Sequence, residues 1–225
     1  MSNIQKKILK IAKKILADYG YIYDPEHKKN PGGDYTQTPK GWSRGKGTGG
    51  RKKPVYPEMT DEQKKLHETA KYGDKKTRRY IAKNSNTHQE TLDKLSSMSD
   101  EDTRLNVSQN PNTSSYTLRK MSSDRNIAVL MNVAKHKNSN RITLKKLSVH
   151  KSEQVRAGVA SNPNAYMTTL NKLSKDRSPV VREFVAGNPR THKKTLKNLL
   201  NDERRLVSNI ARKNLESRRK KRKIK

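Results

Sequence analysis

Residues 153–178, EQVRAGVASNPNAYMTTLNKLSKDRS, are one copy of a 26-residue unit that fills the C-terminal two-thirds of this chain. The dipeptide Thr-Leu recurs in five copies without a register slip, at Thr91-Leu92, Thr117-Leu118, Thr143-Leu144, Thr169-Leu170 and Thr195-Leu196. Self-similarity at a fixed period of about 20–50 residues is typical of solenoids, in which each unit packs on its neighbours. The period therefore predicts the architecture more firmly than any local propensity does.

Four further columns repeat with the same period. An aliphatic column runs Ile81, Val107, Val133, Val159, Val185, and a second one runs Leu95, Met121, Leu147, Leu173, Leu199. A column of mostly small residues runs Ala82, Ser108, Ala134, Ala160, Ala186, and a polar column runs Asn84, Asn110, His136, Asn162, Asn188. The apolar columns predict a shared core, and the polar column predicts a turn.

Each unit has the spacing of a helical hairpin. Val155 and Val159 are four residues apart, and Leu170 and Leu173 are three apart, which is helical spacing. The first helix is predicted over 153–161, because Pro163 steers Asn162 away from the helical region. A second short helix carries Thr169 to Leu173, and residues 61–72 predict a helix that caps the array.

A single unit cannot fold alone. Its apolar anchors contribute about 2 kcal/mol each on burial, whereas ordering its residues costs roughly 1.5 kcal/mol apiece. Stacking must supply the rest, so we predict an all-α solenoid of five to six units over residues 58–216. The sixth copy carries Arg212 and Leu215 in the small-residue and proline positions, as expected of a polar terminal cap.

The motifs Val155-Arg156, Val159-Ala160, Asn162-Pro163 and Thr169-Leu170 resemble the variant leucine-rich repeat, a relative of the HEAT-type helical repeats. The resemblance covers about residues 75–214 and implies a curved, right-handed stack of short α-helices. The period here is longer than the usual one of that family. The iron–sulfur module of some members needs cysteines, and this chain has none, so no cofactor is expected.

Composition excludes several classes of protein. Without cysteine, the 225-residue chain has no disulfide framework, thiolate metal site or cysteine nucleophile. No run of 18 apolar residues is present, so no transmembrane helix is predicted, and the N-terminus lacks the features of a secretory signal. We expect a cytoplasmic protein of bacterial or phage origin, with a virion-associated location as one alternative, or a nuclear protein in a eukaryotic host.

Positive charge is spread over the whole chain. The formal net charge is +31, of which +8 lies in residues 1–73, +16 in 74–216 and +7 in 217–225. Such a protein repels itself and favours a polyanion. Nucleic acid is the commonest intracellular polyanion, and an acidic membrane surface or an acidic protein is the alternative.

The first 20 residues have the pattern of a basic amphipathic helix. Ile4, Ile8, Ile11 and Ile15 share one face, and lysines take the rest. Three roles stay open: docking on a protein partner or on the solenoid, lying on a membrane surface, or contacting nucleic acid. Docking is favoured over membrane contact.

Residues 21–57 form a basic linker rich in glycine and proline, which we expect to be disordered when free. It is either a solvated spacer or a segment that orders on a nucleic acid or protein, since its cations bind phosphates and its aromatic rings stack on bases. The candidate nucleic-acid contacts are Lys40, Trp42, Arg44, Arg51, Lys52 and Lys53.

A column of lysines supplies the candidate site on the solenoid. Two residues after the leucine of the first four Thr-Leu pairs stand Lys94, Lys120, Lys146 and Lys172, with Arg119 and Lys145 beside them. These positions alternate with buried leucines and must face solvent. At about 8–10 Å per helix, four lysines make a stripe of about 25–30 Å, which follows most of one duplex turn. An ordinary solvated surface is the alternative.

The other polar columns favour structural roles. The arginine column, Arg78, Arg104, Arg156 and Arg182, predicts an Asp–Arg ladder between repeats, because Asp176 precedes Arg182 by six residues. The Asn column and the threonines of the Thr-Leu pairs are expected to satisfy backbone groups. The tail 217–225 predicts a disordered basic arm, with Arg218, Arg219, Lys220 and Lys221 as candidate phosphate contacts.

No arrangement of residues indicates catalysis. The six histidines are scattered, and no pair has metal-ligand spacing. We therefore predict a non-enzymatic protein that binds DNA or RNA through its basic solenoid face and flexible arms. The alternative is a protein-binding scaffold or a structural component of a larger assembly, a phage virion or a ribonucleoprotein particle, anchored by its N-terminal segment.

Overall fold

The structure is a computed structural model that describes residues 35–38, 41–44 and 55–223, with side chains from 55 to 220. The chain divides at Glu58 into two units, residues 1–58 and 59–225. The larger unit is a helical-repeat solenoid, which confirms the fold class that the period predicts.

The first helices of the repeats begin at intervals of 26 residues, and so do the second helices. A leading helix, α1, spans Asp61–Tyr72. The first helices of the repeats are α2 Lys75–Lys83, α4 Glu101–Gln109, α6 Ile127–Lys135, α8 Glu153–Ser161 and α10 Pro179–Gly187. The second helices are α3 Gln89–Leu95, α5 Ser115–Met121, α7 Arg141–Leu147, α9 Met167–Leu173 and α11 Lys193–Leu199, and the chain continues in α12 Arg205–Lys223. The predicted bounds 61–72 and 153–161 are confirmed at both ends.

The core is one continuous column of apolar side chains that runs through all repeats. The Thr-Leu leucines are fully buried, and so are Val107, Val133, Val159 and Val185. First helices pack on the first helices of adjacent repeats, from α2 through α4, α6, α8 and α10 to α12. Gly158 allows the close approach of α8 to α6, since a Cβ at that position would lie 3.0 Å from the Cβ of Ala134.

A ladder of asparagine side chains joins the turns of successive repeats. The Asn188 amide donates to the carbonyl oxygens of Ala160 (2.7 Å) and Asn162 (3.0 Å), and the Asn188 side-chain oxygen accepts from the backbone N–H of Arg190 (2.9 Å). The same pair of donated bonds is made by Asn110, Asn162 and Asn214. The prediction that this column satisfies backbone groups at the turn is confirmed.

The threonines of the Thr-Leu pairs do not all have the predicted role of satisfying backbone groups. In the Thr-Leu column, Thr117 and Thr195 contact the side chains of Asp93 and Asn171 in the preceding repeat, so a backbone role is wrong for them. The backbone role belongs to a column of hydroxyls that donate to the last carbonyls of the first helices: Thr87, Thr113, Ser139 and Thr191. The sequence shows this column too, four residues before the Thr-Leu threonine.

An arginine–aspartate ladder crosses the repeats on the other side of the first helices. Arg156 donates to the Asp176 carboxylate at 2.7 and 2.8 Å and to the backbone carbonyls of His150 and Lys151. The two charged side chains are only 8% and 7% exposed. Equivalent pairs join Arg104 to Asp124 and Arg182 to Asp202. The predicted ladder is confirmed for Arg104, Arg156 and Arg182. Arg78, the first member of the predicted column, instead donates to the backbone carbonyls of Ala70 and Lys71, and its neighbour Arg79 pairs with Asp100.

The ladder also determines the charge state of its carboxylates. Burial alone would raise the pKa of Asp176, but hydrogen bonds from Arg156 and from the Ser178 backbone hold the pKa below its usual value. A depressed carboxyl pKa contributes stability that is complete above the unfolded pKa of about 4 and is lost as pH falls through the folded pKa. The ladder therefore adds no pH dependence near neutrality.

The third repeat lacks the ion pair because both partners are replaced together. Leu130 takes the arginine position and His150 the aspartate position. The Leu130 side chain is buried in the core. An arginine at position 130 alone, or an aspartate at position 150 alone, would leave a buried charge without its partner, which is strongly destabilising. The double replacement keeps this interface free of an uncompensated charge.

His136 replaces asparagine in the Asn ladder and introduces a titratable group there. Its Nδ1 accepts from the backbone N–H of Asn138 (3.0 Å), so Nε2 carries the proton and donates to the Asn110 carbonyl (2.9 Å). Burial lowers the pKa of His136 and outweighs the Asn110 hydrogen bond, which raises it, while the Lys137 ammonium adds a smaller lowering. Protonation would remove the Nδ1 acceptor, so the folded state favours the neutral ring.

We expect the wild-type protein to lose stability between pH about 7.5 and 5.5, and the His136→Asn variant to lose less. The folded pKa lies below the unfolded value of about 6.5, so the unfolded chain binds more protons as pH falls through this window. Urea unfolding at the two pH values, followed by circular dichroism, measures the difference. His67, whose pKa is also lowered, contributes equally to both proteins and cancels. Equal pH dependence of the two proteins would contradict this assignment.

The sixth unit ends the solenoid as one long helix. Leu215 stands where three other repeats have proline, so no proline ring stops α12 after Asn214. Absence of proline only permits this continuation, because the first and third repeats have Ser85 and Lys137 at this position and their first helices still end at Lys83 and Lys135. Arg218 then donates to the carbonyl oxygens of Thr191 and Pro189, each at 2.8 Å. The expectation of a disordered tail is wrong for the described part of the tail, because its residues extend this helix and cap the last turn.

The smaller unit contains an antiparallel pair of strands, β1 Tyr35–Thr38 and β2 Gly41–Arg44. Tyr35 pairs with Arg44, and Thr38 pairs with Gly41. The sequence pattern does not predict this pair, since tyrosine, threonine and tryptophan favour strands but lie here among many glycines and prolines. The predicted helix over 1–20 and most of the predicted linker lie outside the described residues, so both stay predictions.

Candidate functional site

The four column lysines occupy equivalent positions on the second helices, one residue before the last buried leucine or methionine. Lys94 lies on α3, Lys120 on α5, Lys146 on α7 and Lys172 on α9. The structure therefore places them on one flank of the solenoid, here called the second-helix flank. Their surroundings differ, and this difference divides the flank into two halves.

The N-terminal half of the flank is neutralised by the protein's own carboxylates. Lys120 lies 2.8 Å from the Asp93 carboxylate, which is largely buried, and Lys94 lies 3.5 Å from Glu90. Lys94 also donates to Nε2 of His67 at 2.7 Å. Because burial and this ammonium lower the pKa of His67, the ring is neutral, and its Nδ1–H donates to Thr91. Lys94 and Lys120 thus face carboxylates of the protein itself, and their contact with nucleic acid stays a prediction.

The C-terminal half of the flank contains no carboxylate on its three helices. Within α7, α9 and α11 there is no Asp or Glu, and the cations are Arg141, Lys145, Lys146, Lys172, Lys193, Lys194 and Lys197. Lys146 donates to the hydroxyls of Ser122 and Ser123, which are neutral acceptors. The nearby aspartates Asp176 and Asp202 are held by the arginine ladder. The positive field of this half is therefore uncompensated.

A groove runs between α7 and α9 in this half. It has a volume of about 470 Å³, and its cations are Lys145, Lys146 and Lys172. Ile142 and Val149 add exposed apolar surface to the same groove. Three of the predicted site residues are brought together here, and the apolar wall is a feature that sequence reasoning missed.

Two arginines of the second-helix flank lie over tyrosine rings. The Arg141 guanidinium is 4.5 Å from the centre of the Tyr166 ring, and that of Arg119 is 6.0 Å from Tyr116. Arg119 is among the predicted site residues, whereas Arg141 and both tyrosines are not. The sequence gives little indication of these arginine–tyrosine contacts, because the two tyrosines occupy different positions in their repeats.

The flexible arms predicted at residues 21–57 and 217–225 are only partly described by the structure. Arg218 donates to the last turn of the solenoid, and its role as a phosphate contact stays a prediction. Arg219 and Lys220 are exposed on α12, and Lys221 follows on the same helix. Only the backbone of Trp42 and Arg44 is described, within β2. Lys40, Arg51, Lys52 and Lys53 lie outside the described residues.

A second groove lies on the first helices. It has a volume of about 180 Å³ and is lined by Met131, Lys135, Glu153, Gln154, Ala157, Val180 and Phe184. Phe184 is the sole phenylalanine of the chain and is 44% exposed here, beside the half-exposed Val180. Apolar residues of this size on a surface indicate an interaction site for another apolar group.

The described ranges offer neither a metal site nor a membrane span. No three His, Asp or Glu side chains lie close enough there to hold a metal ion together. Within the same ranges, no helix combines the length and apolar character needed to cross a bilayer.

Comparison with known proteins supports the fold. No protein-family model matches the sequence. No curated protein sequence matches it either. The structure is similar to that of a solved protein described as a leucine-rich repeat variant with a novel repetitive structural motif, at 25% sequence identity and a TM-score of 0.52. The alignment covers 66% of this chain and 60% of that protein.

Weaker similarities involve designed proteins. An engineered protein aligns at 17% identity with a TM-score of 0.43, over 70% of this chain and 98% of its own. A designed armadillo repeat protein, solved in complex with the peptide (KR)4, aligns at 16% identity with a TM-score of 0.40, over 69% of this chain and 98% of its own. With its 26-residue helical hairpins and its similarity to the leucine-rich repeat variant, the chain belongs to the helical-repeat proteins.

Proposed function

We propose that this protein binds nucleic acid through the phosphate backbone, using the C-terminal half of the second-helix flank, and that it catalyses no reaction. The observation that carries this proposal is the contrast between the two halves. On α3 and α5 the column lysines have carboxylate partners, whereas α7, α9 and α11 carry cations without any carboxylate. Uncompensated cations on one face attract a polyanion.

Contacts of this type have predictable properties. Lysine and arginine bind phosphate oxygens wherever they meet the backbone, so they position the protein without reading bases. Each phosphate that is neutralised releases counterions, which makes the affinity fall steeply with salt. The exposed cations of α12 extend the same binding mode. A cytoplasmic location is part of this proposal, since it brings the protein to such partners.

We expect the triple variant Lys145→Gln, Lys146→Gln, Lys172→Gln to bind random DNA and RNA weakly and with a reduced salt dependence. Each phosphate contact contributes about 0.9 to the slope of log K against log salt on a duplex, so three contacts lower the slope by about 2–3. Fluorescence anisotropy of labelled oligonucleotides with the full chain, from about 50 to 200 mM salt, measures it.

The matched control is the triple variant Lys76→Gln, Lys94→Gln, Lys120→Gln, which removes the same charge from the N-terminal repeats. Its slope should remain close to that of the wild type, because Lys94 and Lys120 already face carboxylates. Equal reductions in the two triple variants would show that only the total charge matters. No change in either would move the site to the arms and reject the flank.

The groove around Phe184 favours a second candidate function, a scaffold that binds protein. An apolar side chain of this size, half-exposed beside Val180, supports a protein contact more directly than a phosphate contact. The same titration separates the two functions. Binding to nucleic acid fades with added salt, whereas an apolar contact at Phe184 persists in about 200 mM salt and is lost in the Phe184→Ser variant.

A further inference from the structure

Two column lysines contact a residue that lies 27 positions earlier in the chain. His67 contacts Lys94 at 2.7 Å, and Asp93 contacts Lys120 at 2.8 Å. The third, Lys146, contacts Ser122 and Ser123 instead of Arg119, the residue at the same offset. The fourth, Lys172 of α9, has Lys145 of α7 at that offset. Lys145 and Lys172 both line the groove of about 470 Å³.

This step therefore brings together two cations where an earlier step has an ion pair. At α3 and α5 the largely buried Asp93 carboxylate neutralises its lysine. At α7 and α9 the aspartate position is itself a lysine, and neither Lys145 nor Lys172 has a carboxylate partner in the described part of the chain. Like charges that line one groove repel each other, and an anion bound between them offsets this repulsion.

We propose that a phosphate group of single-stranded nucleic acid binds between Lys145 and Lys172, in the place that the Asp93 carboxylate takes two repeats earlier. This inference rests on the proposed function and specifies its substrate. Charge-assisted hydrogen bonds from two ammonium groups to one phosphate are strong. Lys146 can join them, because the serine hydroxyls that it contacts are weaker acceptors than a phosphate oxygen.

The apolar wall of the groove indicates that the strand is single. Ile142 is 64% exposed and Val149 is 81% exposed, and both line the groove beside the lysines. A duplex presents phosphates outside and keeps its base faces stacked, so it cannot cover these side chains. An unpaired base has an exposed face that can lie against them while its phosphate binds the lysines, as in other single-strand grooves.

The first test compares oligothymidylate of about 15 nucleotides with a duplex of the same length, using the full chain and fluorescence anisotropy. We expect the single strand to bind about fivefold or more tightly than the duplex, because burial of Ile142 and Val149 adds to the affinity. In the double variant Ile142→Ser, Val149→Ser the preference should disappear while the salt slope stays unchanged. Equal affinity of the wild type for both forms would overturn this inference and leave the proposed function standing.

The second test is Lys145→Asp, which recreates the Asp93–Lys120 arrangement at α7 and α9. We expect the variant to keep the wild-type midpoint of thermal unfolding, because the introduced carboxylate would pair with Lys172, and to bind oligothymidylate on the order of 100-fold more weakly. The matched control is Lys197→Asp, which has the same position on α11 and makes the same change in charge. Its loss of affinity should be about tenfold smaller. Equal losses in the two variants would overturn the inference.

Three further outcomes are distinguishable. If Lys145→Asp lowers the thermal midpoint, Lys145→Gln serves as the binding test. An unchanged affinity of that variant for oligothymidylate overturns the proposed phosphate site. If inorganic phosphate displaces the oligonucleotide at an equal concentration of phosphate groups, the groove is a site for an isolated anion, and the nucleic-acid assignment is wrong. If the wild type binds neither single strand nor duplex at about 50 mM salt, where phosphate contacts are strong, the proposed function itself fails.

Discussion

Asp176→Ala should lower the free energy of unfolding by about 3–5 kcal/mol, because it leaves the guanidinium of Arg156 buried without its counter-ion. The carboxylate accepts two hydrogen bonds from Arg156 and a third from the backbone N–H of Ser178, at 2.7 to 2.9 Å. The remaining contacts of Arg156, with the carbonyls of His150 and Lys151, cannot neutralise its charge. Urea unfolding monitored by circular dichroism at pH 7.5 measures the loss.

The chain itself supplies the control for this experiment. The double variant Arg156→Leu, Asp176→His copies the pair Leu130 and His150 of the third repeat. It should recover more than half of the loss, since no charge is then left unpaired. Asp61→Ala, which removes the exposed ion pair with Lys64, should leave the unfolding free energy nearly unchanged. A loss below about 1 kcal/mol in Asp176→Ala would contradict the view that the ladder is desolvated.

Asn188→Ala should lower the free energy of unfolding by about 2–4 kcal/mol, because buried backbone groups of two repeats lose their partners. The Asn188 side chain binds the carbonyls of Ala160 and Asn162 and the backbone N–H of Arg190. A methyl group replaces none of these bonds, and Asn188 is buried. The same urea titration at pH 7.5 measures this loss.

Asn188→His is the informative companion of this variant. His136 occupies the equivalent position and, as a neutral ring, makes two of the three corresponding bonds, to the carbonyl of Asn110 and from the backbone N–H of Asn138. The histidine variant should therefore retain most of the stability at pH 7.5 and lose part of it at pH 5.5, as His136 does. If alanine and histidine at position 188 are equally destabilising at pH 7.5, hydrogen bonding is not what this column provides.

Local sequence was sufficient for the helices because their signals lie within one unit. Val155 and Val159 place one apolar face on α8, and Pro163 ends that helix where the structure ends it. The sixth unit has Leu215 in place of proline, which permits α12 to continue but does not require it, since the helices before Ser85 and Lys137 end without proline. The expectation of a disordered tail fails because charge alone does not prevent a helix that has already started and whose Arg218 binds the last turn.

The sequence predicts where the column lysines lie but not which of them have carboxylate partners. The column places its members at equivalent positions, and the structure has them on the second helices. Ion pairing across repeats joins residues far apart in the chain, such as Asp93 and Lys120. The fold also brings Lys145 and Lys172 to one groove. Without the fold, nothing distinguishes these two lysines from Lys94 and Lys120.

By itself, the sequence determined the period, the helix bounds and the buried columns of this protein, because these depend on spacing within a unit of 26 residues. The tertiary structure alone decided how polar groups are paired: Arg156 with Asp176, Asn188 with the preceding turn, and Lys120 with Asp93. Such pairs depend on the offset between stacked helices, and burial gives them their energy. That offset also leaves the cations of α7, α9 and α11 without carboxylate partners inside the described solenoid.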